Sequence, residues 1–204
     1  MKVYFETNFV LELALLQEQH ESCSKLLSLS EQGVVEMAMP VFCVAEAYET
    51  LIRRSKQRMR LAQDLINELR QLARSQPYKS EIDAFQNITG LLVRSTQEED
   101  ARLAQALDRM LKCTTLIILD ANVLSSAGQA RSLFKLQPQD SIVYASIAHH
   151  LASSRGESCF LNRNKNDFDD PDIEEDLKKL GCKVLFSFDD GYHYVSHKTR
   201  PLSS

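Results

Sequence analysis

The chain of 204 residues has no tryptophan, only 6 glycines and 5 prolines, and no low-complexity tract. So little Gly and Pro excludes a collagen-like or linker-like chain, and 44% hydrophobic with 25% charged residues is the composition of a globular protein. The missing tryptophan excludes nothing. Long apolar runs are also absent. The first apolar stretch is interrupted by Glu6 and Glu12, so it reads neither as a signal peptide nor as a membrane span, and a soluble cytoplasmic protein is expected. Cys23, Cys43, Cys113, Cys159 and Cys182 form no CxxC pair and each lies in an apolar stretch, which favours reduced core thiols over metal or disulfide roles. There is no excess of positive charge: 24 Lys and Arg stand against 28 Asp and Glu, a net charge of −4. That balance counts against a generally basic nucleic-acid binder. No glycine-rich phosphate loop is present, and no Ser, His and Asp arrangement suggests a nucleophilic hydrolase.

What is present is an alternation of short β-prone runs with helical stripes. Val3 to Phe5 reads as a strand that turns at Glu6, Thr7 and Asn8 into a helix marked by Phe9, Val10, Leu13 and Leu16. A helix over 22–29, a strand over 34–39 stopped by Pro40, and a helix with Val44, Ala47, Tyr48 and Leu51 on one face follow. Strands are then expected at 115–119, 159–161 and 183–188, with helices over 121–133 and about 139–152. Residues 59–112 carry no convincing strand, only helical stripes, and Thr96 with Glu99 has the capping-box spacing of a helix start. The pattern predicts an α/β fold with a parallel sheet covered by helices, in one domain over 1–190 with a helical insertion at about 55–113. A loosely held tail is expected over 191–204.

In such a sheet, ligands gather at the carboxyl ends of the strands, so the polar residues there are the ones to weigh. Glu6 follows the first strand and reads either as a helix-terminus acid or as a site carboxylate. Glu46 sits among apolar neighbours in the first turns of its helix; a carboxylate in that company is at an exposed edge or held by a cation. Asp140 opens a helix, where the dipole alone would favour it. Asn162, Asn164 and Asp167 lie where the strand 159–161 hands over to a polar turn. Asp120 reads as a helix cap, and His149 and His150 as packing or surface residues.

These residues, in this order, resemble the PIN-domain family of metal-dependent ribonucleases, including toxins of the VapC type. Glu6-Thr7-Asn8 matches the family's opening Asp-Thr-Asn. Glu46 matches its helical Glu after the second strand, and Asp140 to Ala145 its Asp-x-x-x-x-Ala. Asn162-Arg163-Asn164-Lys165-Asn166-Asp167-Phe168 matches its closing Thr-Arg-Asn-x-x-Asp-Phe. The matches span about 1–50 and 114–188. Two positions depart from the pattern: Glu6 stands where the family has Asp, and Asn162 where it has Thr.

The resemblance implies a PIN-like, Rossmann-like fold and an endoribonuclease in which Glu6, Glu46, Asp140 and Asp167 hold Mg²⁺ or Mn²⁺. Oxygen-only ligands suit such hard cations, and clustered carboxylates repel one another unless a cation or protons intervene. Thr7, Asn8, Asn162 and Asn164 would position the substrate. RNA is the implied partner, with an antitoxin or a second copy of the chain beside it. For the RNA backbone the sequence offers Arg53, Arg54, Lys56, Arg58 and Arg60, and also Arg163. The bland reading of the basic run is a solvated helix face, and the acidic run over 167–176 is read as a solvated loop and helix start. The competing class is a PIN-like module that binds RNA or protein without cutting. A hydrolase of small phosphates would need a closed pocket instead of a basic-flanked groove.

Overall fold

Val3, Tyr4 and Phe5 are completely buried, because the strand that carries them is the middle of a five-stranded sheet with helices on both faces. The computed structural model describes residues 1–79, 82–154, 156–163 and 168–200. Its strands are β1 (Lys2–Phe5), β2 (Glu36–Pro40), β3 (Thr114–Ile117), β4 (Ser158–Leu161) and β5 (Cys182–Leu185), all parallel, in the order β3-β2-β1-β4-β5. Parallel neighbours require crossovers, and helices provide them. In chain order these are α1 (Thr7–Leu15), α2 (His20–Glu31), α3 (Val41–Leu72), α4 (Asp83–Leu111), α5 (Ala121–Phe134) and α6 (Pro138–Ser153). α7 (Pro171–Lys179) and α8 (Phe188–Thr199) follow. The chain builds outward from β1 to β2 and β3, then returns to β1's other side with β4. The direction of winding therefore reverses between β1 and β4, and the carboxyl ends of those two strands flank the crevice where α/β proteins bind ligands.

The α/β parallel-sheet expectation holds, and the differences lie at element boundaries. No new helix starts at Thr96. The stripe through Leu92, Leu103, Leu107 and Met110 stays in phase, so α4 runs through, and the Glu99 carboxylate takes the Arg58 guanidinium at 2.6 Å instead of capping a backbone. The helix bearing Glu46 likewise continues without a break at 55; α3 is 32 residues, about 48 Å long. It packs against α4 as the two arms of a helical hairpin. Residues 183–188 divide between β5 and α8, because Ser187 caps the Asp190 amide and bends the chain into a helix. The segment after Asp190, expected to be loose, instead forms most of α8 as far as Thr199 and is held on α2 through buried Phe188, Gly191 and Val195. Two polar contacts fix that docking: Gln19 Oε1 accepts the Phe188 amide at 2.6 Å, and Ser22 donates to Asp189 at 2.5 Å. All five cysteines are free thiols, four of them buried. No helix among the described residues is long and apolar enough to cross a membrane.

Aromatic packing joins the sheet to its cover at one point. Phe9 of α1 lies 4.4 Å from Phe5 of β1 and 5.4 Å, edge to face, from Phe188 of α8. Its ring is completely buried, whereas Leu91 on α4 is 58% exposed. Phe9→Ala is therefore expected to cost about 3–5 kcal/mol in urea unfolding, and Leu91→Ala less than about 0.5 kcal/mol; equal losses would show that the core is not centred on the β1–α1–α8 contact.

Candidate active site

β1 ends and α1 begins at Glu6, and the side chain serves both elements. Its backbone is extended, and its Oε2 accepts the Asn8 amide at 2.8 Å, the bond an N-cap carboxylate makes. Its Oε1 is buried with no hydrogen-bond partner among the described residues. The helix-cap and site readings of Glu6 are thus both realised, one on each oxygen. The residue is only 7% exposed, and burial pushes its pKa up to about 7, with the Asn8 amide and then the Arg163 amide opposing and the Glu46 charge adding.

Glu46 reaches the same place from α3. Thr7, the first residue of α1, donates its hydroxyl to Glu46 Oε2 at 2.5 Å, so the β1–α1 junction is tied to the early turns of α3. Burial raises the Glu46 pKa; Thr7 lowers it and exposed Glu49 raises it. Cys43, one turn before Glu46, is buried, and burial above all, then the charge on Glu6, holds its thiol well above the ordinary value. It therefore stays protonated, and the donor set is oxygen.

Asp140 occupies the first turn of α6, partly buried. The opposite end of α6 meets the start of β1: His150 Nδ1 is hydrogen-bonded to the Tyr4 hydroxyl at 2.8 Å, and Lys2 donates to Ser154 at 3.0 Å. α6 therefore runs against the strands, which brings Asp140 to the same carboxyl edge as Glu6. Asn162, completely buried, follows β4, and its amide donates to the Leu185 carbonyl at 2.9 Å. Asn164 and Asp167 lie outside the described residues. Among the described residues no group of three or more His, Cys, Asp or Glu side chains is gathered closely enough to hold a metal ion. What the described residues do bring together is the pair Glu6 and Glu46. Two buried or half-buried carboxyls, both with raised pKa and one with an unsatisfied oxygen, fit a hard divalent cation in charge and in donor type.

The basic candidates separate. Arg53 and Lys56 are exposed and Arg54 is partly so. Seven residues is nearly two turns, so Arg53 lies on the Glu46 side of α3, about 10 Å further along the axis. Arg58 faces α4 instead, bound to Glu99 and to Ser95 at 3.2 Å, and serves the hairpin. Arg163 is engaged by two acids: one guanidinium nitrogen bonds Glu12, and another bonds Glu18 at 2.9 Å. Glu12 is completely buried and was not among the residues singled out from the sequence. The signal was there, since Glu12 lies on α1 between Leu11 and Leu13, the same acid-among-apolar pattern that marked Glu46. Asp120 caps α5 through the Val123 amide at 2.8 Å, and Asp170 caps α7, as bland readings of both acids require.

A cavity of about 1050 Å³ lies beside β5 and α7, lined by residues such as Pro171, Lys178 and Tyr194. Neither Glu6, Glu46 nor Asp140 lines it, so volume alone does not locate this site. A family model described as PIN domain matches residues 3–168. No curated protein and no solved structure matches the chain.

The buried Glu6 predicts a pH dependence of stability. Its folded pKa is raised, so the unfolded chain loses the proton first, and stability falls as pH rises from about 4.5 to 7 and changes no further above. The full cost is on the order of 3 kcal/mol. In urea unfolding with EDTA, wild type minus Glu6→Gln should show this slope. At pH 8, Mn²⁺ should raise the melting temperature of wild type and leave Glu6→Gln unmoved; a parallel response in the two proteins would remove Glu6 from the cation site.

Proposed function

The chain belongs to the PIN-domain family, whose members are generally nucleases acting on RNA, and on that premise we propose that it is a metal-dependent endoribonuclease. The observation that carries the proposal is the buried Oε1 of Glu6, without a hydrogen-bond partner among the described residues, beside the Thr7-anchored carboxyl of Glu46 at the winding reversal of the sheet. Glu6 and Glu46 would hold Mg²⁺ or Mn²⁺, with Asp140 from the same edge and Asp167 completing the set. When bound, the ion would supply positive charge to the phosphate and the leaving oxygen and lower the pKa of an attacking water.

The chain's own residues account for the rest of the arrangement. The Asn8 amide fixes the Glu6 carboxyl through Oε2, which keeps the other oxygen turned to the site. Thr7 does the same for Glu46, so both acids are held by the first two residues of α1. Because these contacts come from a helix start packed on the sheet, the acids are held in place before substrate arrives. Asn8, Asn162 and Asn164 would position the substrate around them. Arg53, Arg54 and Lys56, further along α3, would hold the RNA backbone. The toxin of a toxin–antitoxin pair is the finer biological reading, resting on the likeness of the four motifs to the VapC type.

Cleavage of single-stranded RNA with Mg²⁺ or Mn²⁺ should disappear with EDTA and fall at least a hundredfold in Asp140→Asn. Cleavage indifferent to both would sink the proposal, and tight RNA binding without cleavage by wild type would instead favour a degenerate binding module. If the chain is a toxin, its expression arrests growth and Asp140→Asn relieves the arrest. Arg53→Ala/Arg54→Ala is expected to lower RNA affinity and flatten its salt dependence, with log Kd against log salt losing up to about 0.7 in slope per lost phosphate contact. Arg58→Ala should instead lower the melting temperature and leave that slope unchanged.

A further inference from the structure

The Arg163 ion pairs are unequal. Glu12, which takes one end of the guanidinium, is completely buried and also accepts the Gln19 amide at 2.9 Å. A carboxylate buried to that degree cannot lose its cationic partner cheaply, so this contact fixes where Arg163 stands. Glu18, which takes the other end at 2.9 Å, lies in the turn between α1 and α2 with its side chain 77% exposed. It loses little by turning back into water. The two acids and Arg163, with Asn8 and Gln17, line a polar cleft of about 490 Å³. The cleft adjoins the proposed catalytic pair, because Asn8, which lines it, holds the Glu6 carboxyl through its backbone amide.

From this we infer that the cleft is a binding subsite for an RNA backbone phosphate next to the scissile one, in which the Glu18 carboxylate occupies the phosphate's place until RNA displaces it. The chemistry matches at each point. A guanidinium binds carboxylate and phosphate oxygens through the same planar array of N–H donors, so one anion substitutes for the other. Glu12 anchors the array and Glu18 is the exchangeable partner. Asn8 and Gln17, both neutral and polar, complete the cleft walls without adding charge. The subsite rests on the ribonuclease reading, and it adds to that reading a cost of entry: RNA must compete with a tethered acid. Glu12 is accordingly a positioning residue, acting on RNA only through Arg163.

The test is fluorescence anisotropy with a labelled single-stranded RNA in EDTA at low salt, so that binding is read without cleavage. Glu18→Gln should tighten Kd about fivefold, the size of one exposed ion pair. Its plot of log Kd against log salt should steepen by up to about 0.7, one additional phosphate contact on a single strand. Glu21→Gln removes the same charge from the start of α2, where Glu21 pairs with Lys25 and does not line the cleft, and should change Kd less than twofold. The gain must also depend on the guanidinium. In a Glu12→Gln/Arg163→Gln background, which removes Arg163 without leaving a charged acid buried, adding Glu18→Gln should have no more effect than Glu21→Gln. Equal tightening by Glu18→Gln and Glu21→Gln, or tightening that survives loss of Arg163, would overturn the subsite. RNA binding and cleavage by wild type with no response to Glu18→Gln would also overturn it and leave the ribonuclease reading standing. Neither binding nor cleavage by any of these proteins would overturn both.

Discussion

Everything near the carboxyl end of β1 answers to one constraint, a carboxyl group carried into the protein interior by the central strand. A carboxylate buried without a cation costs several kcal/mol or takes up a proton. The chain solves half of the problem covalently close by, since α1 starts immediately and its second amide reaches Oε2 of Glu6. The other half, at Oε1, is met by none of the described residues. Glu46 aggravates the deficit by adding a second acid, and Thr7 holds that acid in place when repulsion alone would move it away. The β1–α1 junction is thus a place where the fold gives up stability for a concentration of negative charge, as functional sites commonly do.

A second acid–base arrangement nearly two turns further along α1 contrasts with the first. Glu12 is buried more deeply than Glu6, yet its charge is met by Arg163 from the end of β4 and by the Gln19 amide. The α1 segment therefore carries two interior carboxyls, one met by a guanidinium and one with an oxygen that no described residue satisfies. The difference fits their positions: Glu6 is at the crevice where the winding reverses, and Glu12 is where α1 meets the loop after β4. The same pairing ties β4's end to α1, so the two walls of the crevice are held together by a charge interaction as well as by the sheet ladder between β1 and β4.

The alternating strands and helices were legible because each carries its own period. Val3 to Phe5 and Cys159 to Leu161 are short and wholly apolar, as strands covered on both faces must be. Glu46 was legible as an anomaly, an acid among apolar neighbours. Local pattern could not supply partners. Arg58 and Arg53 lie in one basic run, but only the packing of α3 on α4 shows that one is spent on Glu99 and the other is exposed. Thr96 and Glu99 have the spacing of a helix start, but the hairpin offered Glu99 a guanidinium, and a charged partner outweighed a local cap. The helix over Phe188–Thr199 escaped the local pattern for a similar reason, while 201–204 lie outside the described residues. α8 has few apolar residues, and its place is fixed by Gln19 and Ser22, residues of a helix start more than 160 positions away.

The unbroken course of α3 has an evolutionary corollary. Between Glu46 and Arg53 there is no loop to absorb an insertion or deletion, so each residue gained or lost would turn the basic run by about 100° around the axis relative to the acid. A change of three or four residues, or of seven, would nearly restore the phase while moving the cations by one or two turns. Length variation in this stretch among descendants of the same ancestor is therefore expected to come in steps of whole helical turns. Substitutions of the exposed residues, by contrast, can accumulate singly.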